Sequence, residues 1–185
     1  MDFTATYYEQ NSQAVFERIN ALSPIELYKP FLSKLVLGAH ILDAGCGSGR
    51  DNKYFIEQGY RVTAVDASAA LGQLASQYIG QPVLQMRFQA LEFQECFDGI
   101  WASASLLHVG RAEIDDVLTR LSKALKPDGL LYASFVYGDG EKDRGGLLFS
   151  DYTQTTFTSL IQNHSELAIL DLWQTEDLPG RRNRR

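Results

Sequence analysis

No stretch of 18 apolar residues occurs in this sequence, so a membrane-spanning helix is not expected. Nor does Met1 to Gln10 join a cationic region to an apolar core in the manner of an export leader, and a cytoplasmic protein is expected. Cysteine is scarce. Cys46 and Cys96 cannot form a disulfide framework and lack zinc-ligand spacing, which predicts two reduced thiols and no metal. Cationic excess is missing too: 17 Lys and Arg stand against 23 Asp and Glu, a formal charge of −6. Without a basic helix or interleaved basic and aromatic residues, the chain has no electrostatic footprint for phosphates. Small molecules are the expected partners, with no nucleic acid and no membrane. Internal repeats, low-complexity tracts and a dividing linker are absent as well, and 185 residues suffice for one core that buries about 70% of the unfolded surface.

What the chain does contain is an alternation of extended and helical segments, which implies an α/β fold around a parallel sheet. Strands are predicted near His40 to Asp43, Arg61 to Asp66, Val83 to Phe88, Asp98 to Ser103, Leu130 to Val136 and Leu167 to Trp173. Between Arg111 and Leu125, the residues Ile114, Val117, Leu118, Leu121 and Leu125 recur at helical spacing and make one buried stripe, after which Pro127-Asp128-Gly129 turns the chain back. Ala69 to Tyr78 and Tyr152 to Asn163 read as helices too. Ahead of the sheet, Tyr7 to Leu37 reads as two helices broken near Ser23-Pro24. The division is a helical segment over residues 1–38 and a core over 39–185.

Ile41-Leu42-Asp43-Ala44-Gly45-Cys46-Gly47-Ser48-Gly49-Arg50-Asp51 joins an apolar strand to a glycine turn and then to a helix. The glycines permit left-handed backbone and close ligand approach, and the turn falls at the carboxyl edge of the sheet, where open α/β folds bind ligands. Asp66 ends the next strand, about 20 residues beyond Gly45, the offset at which a carboxylate meets ribose hydroxyls. The spacing Gly45-x-Gly47-x-Gly49 is one residue shorter than the nicotinamide fingerprint, whose third glycine position here holds Arg50. Asp43 and Asp51 oppose a pyrophosphate at the helix start but suit an ammonium-bearing ligand. S-adenosylmethionine has that charge and a ribose diol, so the turn residues Asp43, Ala44, Gly45, Cys46, Gly47, Gly49 and Arg50 are cofactor candidates, with Asp66, Ala67 and Ser68 flanking the ribose and adenine.

On Ile41 to Phe55, Val62 to Ser68, Phe97 to Val109, Leu125 to Gly129 and Tyr132 to Glu141, the chain resembles the class I S-adenosylmethionine-dependent methyltransferases, and within them the small tellurite-resistance and thiopurine-type branch. The resemblance implies a Rossmann-like sheet with helices on both faces. It also implies an amino-terminal helical lid over residues 1–38, with Tyr8 and Asn11 as acceptor-side candidates. After the third strand it places Leu91 and Glu92 against the adenine, and at the end of the fourth it places Ala102 and Ser103 against the methionine portion. His108, at the same sheet edge, is the candidate to relay a proton from an acceptor. The charged, glycine-rich loop Tyr137 to Gly146 reads as a mobile cover, with Tyr137 and Arg144 as its acceptor candidates.

Two departures from that pattern matter. Val136 stands where this branch often has lysine, so an anion-binding role for that lysine is not carried over. Related chains also continue into a final apolar strand where this one has Asp177 to Arg185, so the seventh strand is expected to be missing and a homo-oligomer could form through the incomplete sheet edge. The expected function is methyl transfer from S-adenosylmethionine to a small molecule, leaving S-adenosylhomocysteine. A nonenzymatic S-adenosylmethionine-binding scaffold and a nicotinamide oxidoreductase are the alternatives.

Overall fold

The computed structural model describes residues 3–176. Its centre is a parallel sheet of five strands, β1 (His40–Ala44), β2 (Arg61–Asp66), β3 (Val83–Gln85), β4 (Phe97–Ala102) and β5 (Leu125–Ala133), in the order β3-β2-β1-β4-β5. The order reverses beside β1, which pairs with β2 on one side and with β4 on the other. Helices α1 (Phe3–Gln10), α2 (Ser12–Asn20) and α3 (Ile25–Leu32) precede the sheet, α4 (Arg50–Glu57), α5 (Ala69–Ile79) and α6 (Ile114–Ala124) connect its strands, and α7 (Gln154–Gln162) follows it. This is the Rossmann-like fold of class I methyltransferases.

Both faces of the sheet are covered, and the period-two geometry of a strand shows how. In β1, Ile41 packs into one layer and Leu42 and Ala44 into the other; in β4, Trp101 joins the first and Ile100 and Ala102 the second. The first layer holds Tyr28 and Phe31 of α3 and Phe55 of α4 around Trp101, which stacks on Tyr132 with centroids 3.9 Å apart. Gly99 admits α3 here, since a Cβ on it would stand 2.8 Å from the Phe31 ring. The second layer is filled by the stripe Ile114, Val117, Leu118 and Leu121 of α6, as its spacing predicts, and by Ile161 of α7.

Helix starts follow their capping residues. Ser68 accepts the Leu71 N–H at the head of α5, and Thr153 with Thr156 closes a reciprocal cap on α7.

Several elements differ from the expectations. The amino-terminal segment forms three helices, with a break at Asn11 in addition to the one at Pro24. Strand β3 ends at Gln85, and Phe88–Ala90 winds into a 3₁₀ turn. Pro127-Asp128-Gly129 does not precede β5 but lies within it: Asp128 takes φ 60° and the pairing with β4 slips between Phe97 and Gly99, so the turn is absorbed as an irregularity of the ladder. The charged loop carries an antiparallel hairpin, β6 (Gly140–Asp143) and β7 (Leu148–Asp151).

Residues 167–173 form no strand. Their apolar residues include Leu167, which packs on the core, and Trp173, which lies beside Tyr132 at 6.1 Å. A strand requires a neighbour for its backbone groups, which side-chain pattern alone does not supply. Among the described residues β5 is therefore an edge of the sheet. The expectation of a missing final strand concerns residues 177–185, outside the described residues.

Candidate active site

The glycine turn hooks over the end of β2, because the N–H groups of Gly45 and Cys46 both donate to the Val65 carbonyl at 2.9 Å. Gly45, Gly47 and Gly49 have φ of 80°, 57° and 76°, the left-handed region in which a Cβ is strained. Their clearance is largely taken by the protein itself. A Cβ on Gly45 would lie 2.5 Å from the Ser105 Cβ and 3.2 Å from the Phe88 ring, and one on Gly49 would lie 2.8 Å from Ile79. Ser105 also donates to the Ala44 carbonyl at 2.6 Å, fastening the segment after β4 to the turn.

Asp66 sits where the pattern places it, at the carboxyl end of β2. One of its oxygens accepts the Gly47 N–H at 2.8 Å and the other the Ser68 N–H at 2.9 Å, so a single carboxylate spans the glycine turn and the α5 junction across Ala67. Burial raises its pKa, against the lowering by the Ser68, Gly47 and Ala67 amides. Asp43 is buried with one oxygen lacking a hydrogen-bond partner. Burial pushes its carboxyl well above the ordinary value, Asp51 and Asp66 add to the shift, and Arg50 opposes it. The same burial, with Asp43 and Asp66 nearby, raises the Cys46 thiol and keeps it protonated.

Arg50 and Asp51 tie the amino-terminal helices to the core. Arg50 donates to Asp51 at 2.6 Å and to the Ile19 carbonyl at 3.2 Å. Asp51 also accepts the Tyr28 hydroxyl and the Trp101 indole. Burial, then the charge of Asp51, holds the Tyr28 phenol far above its usual pKa.

At the end of β4, Ala102 is fully buried and Ser103 half-buried. Ala104 then adopts φ 51°, and its N–H donates to Ser134 Oγ at 2.8 Å. Such backbone in a non-glycine residue persists only where its surroundings hold it. His108 follows, between two elements. Its Nδ1 is 2.7 Å from the Leu148 carbonyl of β7, and its Nε2 is 2.8 Å from the Tyr8 hydroxyl of α1. Beside Tyr8, the Glu9 carboxylate accepts the Ser68 hydroxyl at 2.7 Å and the Ala70 N–H, bonds that hold its pKa down.

Other predicted residues are not brought to this place. Asn11 is exposed and donates to Tyr7 within its own segment. Leu91 is buried in the layer under α6, and Glu92 lines a groove of about 330 Å³ with Asp116, Thr119, Arg120 and Lys123. Phe88, inside the expected third strand, is the side chain that meets the turn instead. Tyr137 is 62% exposed and bridges to Tyr152, while Arg144 pairs with buried Asp151 and lies over the Phe149 ring at 4.6 Å. Glu9 and Leu148 lie outside the stretches that carry the resemblance, whereas Ser105 and Ser134 lie inside two of them and could have been found there. Among the described residues no cluster of His, Cys, Asp and Glu could hold a metal ion, and no helix is long and apolar enough to cross a membrane.

Residues 42–133 match the family model of a methyltransferase domain. The ubiquinone biosynthesis O-methyltransferase of Rickettsia akari is 27% identical over 157 residues, 77% of this chain and 60% of that protein. The malonyl-[acyl-carrier protein] O-methyltransferase of Salmonella typhimurium is 30% identical over 129 residues, 69% of this chain and 48% of that one. The chain thus spans about half to three-fifths of the length of these curated relatives. Among solved structures, the Burkholderia thailandensis 1,6-didemethyltoxoflavin-N1-methyltransferase, bound to 1,6-didemethyltoxoflavin and S-adenosylhomocysteine, is similar at TM-score 0.66 and 26% identity, over 85% of this chain and 72% of that one. A methyltransferase from Methanosarcina mazei shares the fold at TM-score 0.66 and 19% identity, over 77% of this chain and 84% of that one.

Proposed function

We propose, from the match of residues 42–133 to the family model of a methyltransferase domain, that this chain is an S-adenosylmethionine-dependent methyltransferase acting on a small-molecule acceptor. The observation that carries the proposal is Asp66, oriented by the Gly47 and Ser68 amides at the open end of β2. A carboxylate has about four acceptor positions, so two amides can fix its plane and still leave lone pairs for a ribose diol. The unpartnered oxygen of buried Asp43 suits a cationic amine, reached directly or through a water, better than it suits a pyrophosphate.

S-adenosylmethionine, when bound, supplies an electrophilic methyl group on a sulfonium. The chain's own residues do the rest. Ala44 to Gly49 form the backbone floor, with Cys46 a neutral thiol. Ala67 and Ser68 with Phe88 flank the adenine, and we assign Phe88 there in place of Leu91 and Glu92. Ala102 and Ser103 leave room for the methionine arm. His108 takes up a proton from the acceptor, and the helices of residues 1–38, through Tyr8 and Glu9, cover the crevice as a lid. Tyr137 and Arg144 of the charged loop are kept as acceptor-side candidates, to be tested by substitution. Holding nucleophile and methyl in line can supply on the order of 7 to 11 kcal/mol of the barrier, which asks for positioning more than for covalent chemistry.

Kinship with the tellurite-resistance and thiopurine-type branch, which says little about the acceptor itself, a cytoplasmic location and self-association through the β5 edge are further parts of this proposal. Calorimetry with S-adenosylhomocysteine and with NADH tests the cofactor: binding of the first and not the second is expected, and the reverse overturns the reading. Tritiated-methyl transfer across an acceptor panel separates an enzyme from a binding scaffold, which would hold the cofactor without turnover.

A further inference from the structure

We infer that the acceptor is a hydroxylated planar ring, a phenol or enol, and that its hydroxyl takes at His108 Nε2 the place that Tyr8 holds in this structure. The inference rests on the methyltransferase reading and names the substrate class of the same site.

A carbonyl oxygen can only accept, so the contact of His108 Nδ1 with the Leu148 carbonyl at 2.7 Å puts the ring proton of a neutral imidazole on Nδ1. Nε2 is then left with a lone pair. What it accepts here, at 2.8 Å, is the phenolic O–H of Tyr8. The surroundings of that bond are aromatic. The Tyr8 ring meets the imidazole edge-on with centroids 5.6 Å apart, Tyr7 meets Tyr8 edge-on at 5.6 Å, and Phe149 of β7 packs against the imidazole at 4.8 Å. A seat with one acceptor atom among ring edges suits a flat ring bearing a hydroxyl, and Tyr8 is a covalently attached example of one. The same geometry disfavours anionic acceptors. With Nδ1–H committed to Leu148, a neutral His108 has no second proton to offer a tellurite-like oxyanion or a thiolate.

Tyr8 belongs to the eight-residue helix α1 and to neither core layer, and its neighbour Glu9 bonds to Ser68 and Ala70 at the head of α5. Its hydroxyl can therefore be exchanged for that of a ligand without opening the core. In the reaction the acceptor O–H bond breaks and its proton passes to Nε2, giving an imidazolium whose Nδ1–H stays on Leu148. The freed oxygen pair forms the new C–O bond while the C–S bond breaks and its electron pair returns to sulfur.

The test uses the full chain in buffer acidic enough to keep 4-nitrophenol protonated, 4-nitrophenol, nitrobenzene and sodium tellurite as probes, binding by calorimetry, and histidine ring ¹⁵N NMR assigned with a His108→Gln variant. The expected spectrum shows Nδ1–H in His108, and 4-nitrophenol moves its Nε2 resonance. Tyr8→Phe removes the internal competitor and leaves 4-nitrophenol binding equal or tighter. His108→Gln weakens it about tenfold, the loss of one hydrogen bond. Nitrobenzene and tellurite should not bind the seat. The inference is overturned if 4-nitrophenol and nitrobenzene bind alike, if tellurite displaces 4-nitrophenol, if the proton resides on Nε2, or if Tyr8→Phe weakens 4-nitrophenol about tenfold, because Tyr8 would then be a contact and not an occupant. Should His108→Gln fail to melt cooperatively, the Tyr8→Phe and nitrobenzene arms decide. S-adenosylhomocysteine binding without hydroxyl discrimination removes this seat alone, whereas absence of S-adenosylhomocysteine binding removes the methyltransferase reading and, with it, the acceptor role of anything bound at His108.

Discussion

The Trp101 indole donates to Asp51 across 2.7 Å inside a layer of aromatic rings, and the other oxygen of that carboxylate accepts the Tyr28 hydroxyl at 2.8 Å. One acid at the start of α4 thereby joins the middle of the sheet to a helix of the amino-terminal segment. Replacing it leaves two buried donors without partners. Asp51→Ala should lose about 3 kcal/mol of stability, the scale for hydrogen bonds to a charged group. Urea unfolding measures this, and a loss below about 1 kcal/mol would show that the two donors find other acceptors.

Asp43 behaves in the opposite sense. Its native carboxyl has a raised pKa, so the folded protein binds this proton more tightly than the unfolded chain does. Its contribution is most favourable at acid pH and declines as pH rises from the ordinary carboxylate value toward the native one. Asp43→Asn removes that dependence, and its stability relative to the parent should grow with pH. Paired thermal melts across pH check the direction, and a difference that shrinks with pH contradicts it. The same variant should bind S-adenosylhomocysteine more weakly, because a cationic amine beside Asp43 favours its ionised form and an amide offers none.

Gly45→Ala confronts two penalties, a left-handed backbone and a Cβ 2.5 Å from Ser105. A loss of about 2 to 4 kcal/mol is expected from strain and overpacking together. Measured against Ser105→Gly alone, which has already lost the bond to Ala44, the double variant Gly45→Ala/Ser105→Gly should show the backbone part without the contact part. Full recovery, or none, would show that one of the two penalties is not operating.

Asp66→Asn keeps one accepting oxygen for two loop amides that now share a carboxylate. S-adenosylhomocysteine affinity should fall at least about tenfold, one lost charge-assisted bond. Unchanged affinity in calorimetry would remove Asp66 from the ribose site.

Much of this was readable in the sequence because it depends on short-range rules. The glycine turn and the acid ending β2 announce themselves by spacing, and Ile114 to Leu121 by helical period. What stayed hidden depends on contacts distant along the chain. Leu91 and Glu92 share a loop with Phe88, and only the 3₁₀ turn at Phe88–Ala90 sends Leu91 inward and Phe88 to the turn. The β6–β7 hairpin escaped notice because its charges and glycines resemble a free loop, while its pairing rests on partners such as Lys142 with Asp151. Residues 167–173 have apolar strand character and still form none, since composition does not create a neighbouring ladder.

The strand order also bears on when during synthesis the crevice can come into being. β1 and β2 are brief neighbours along the chain, but β4 reaches β1 only after β3 has been made, and Ser105 must follow before the space above Gly45 is filled. A chain still emerging from the ribosome with Ser105 inside the exit tunnel has Asp66 but not the segment that packs over Gly45. A ligand held between the two would stabilise the finished sheet and could not template its first strands.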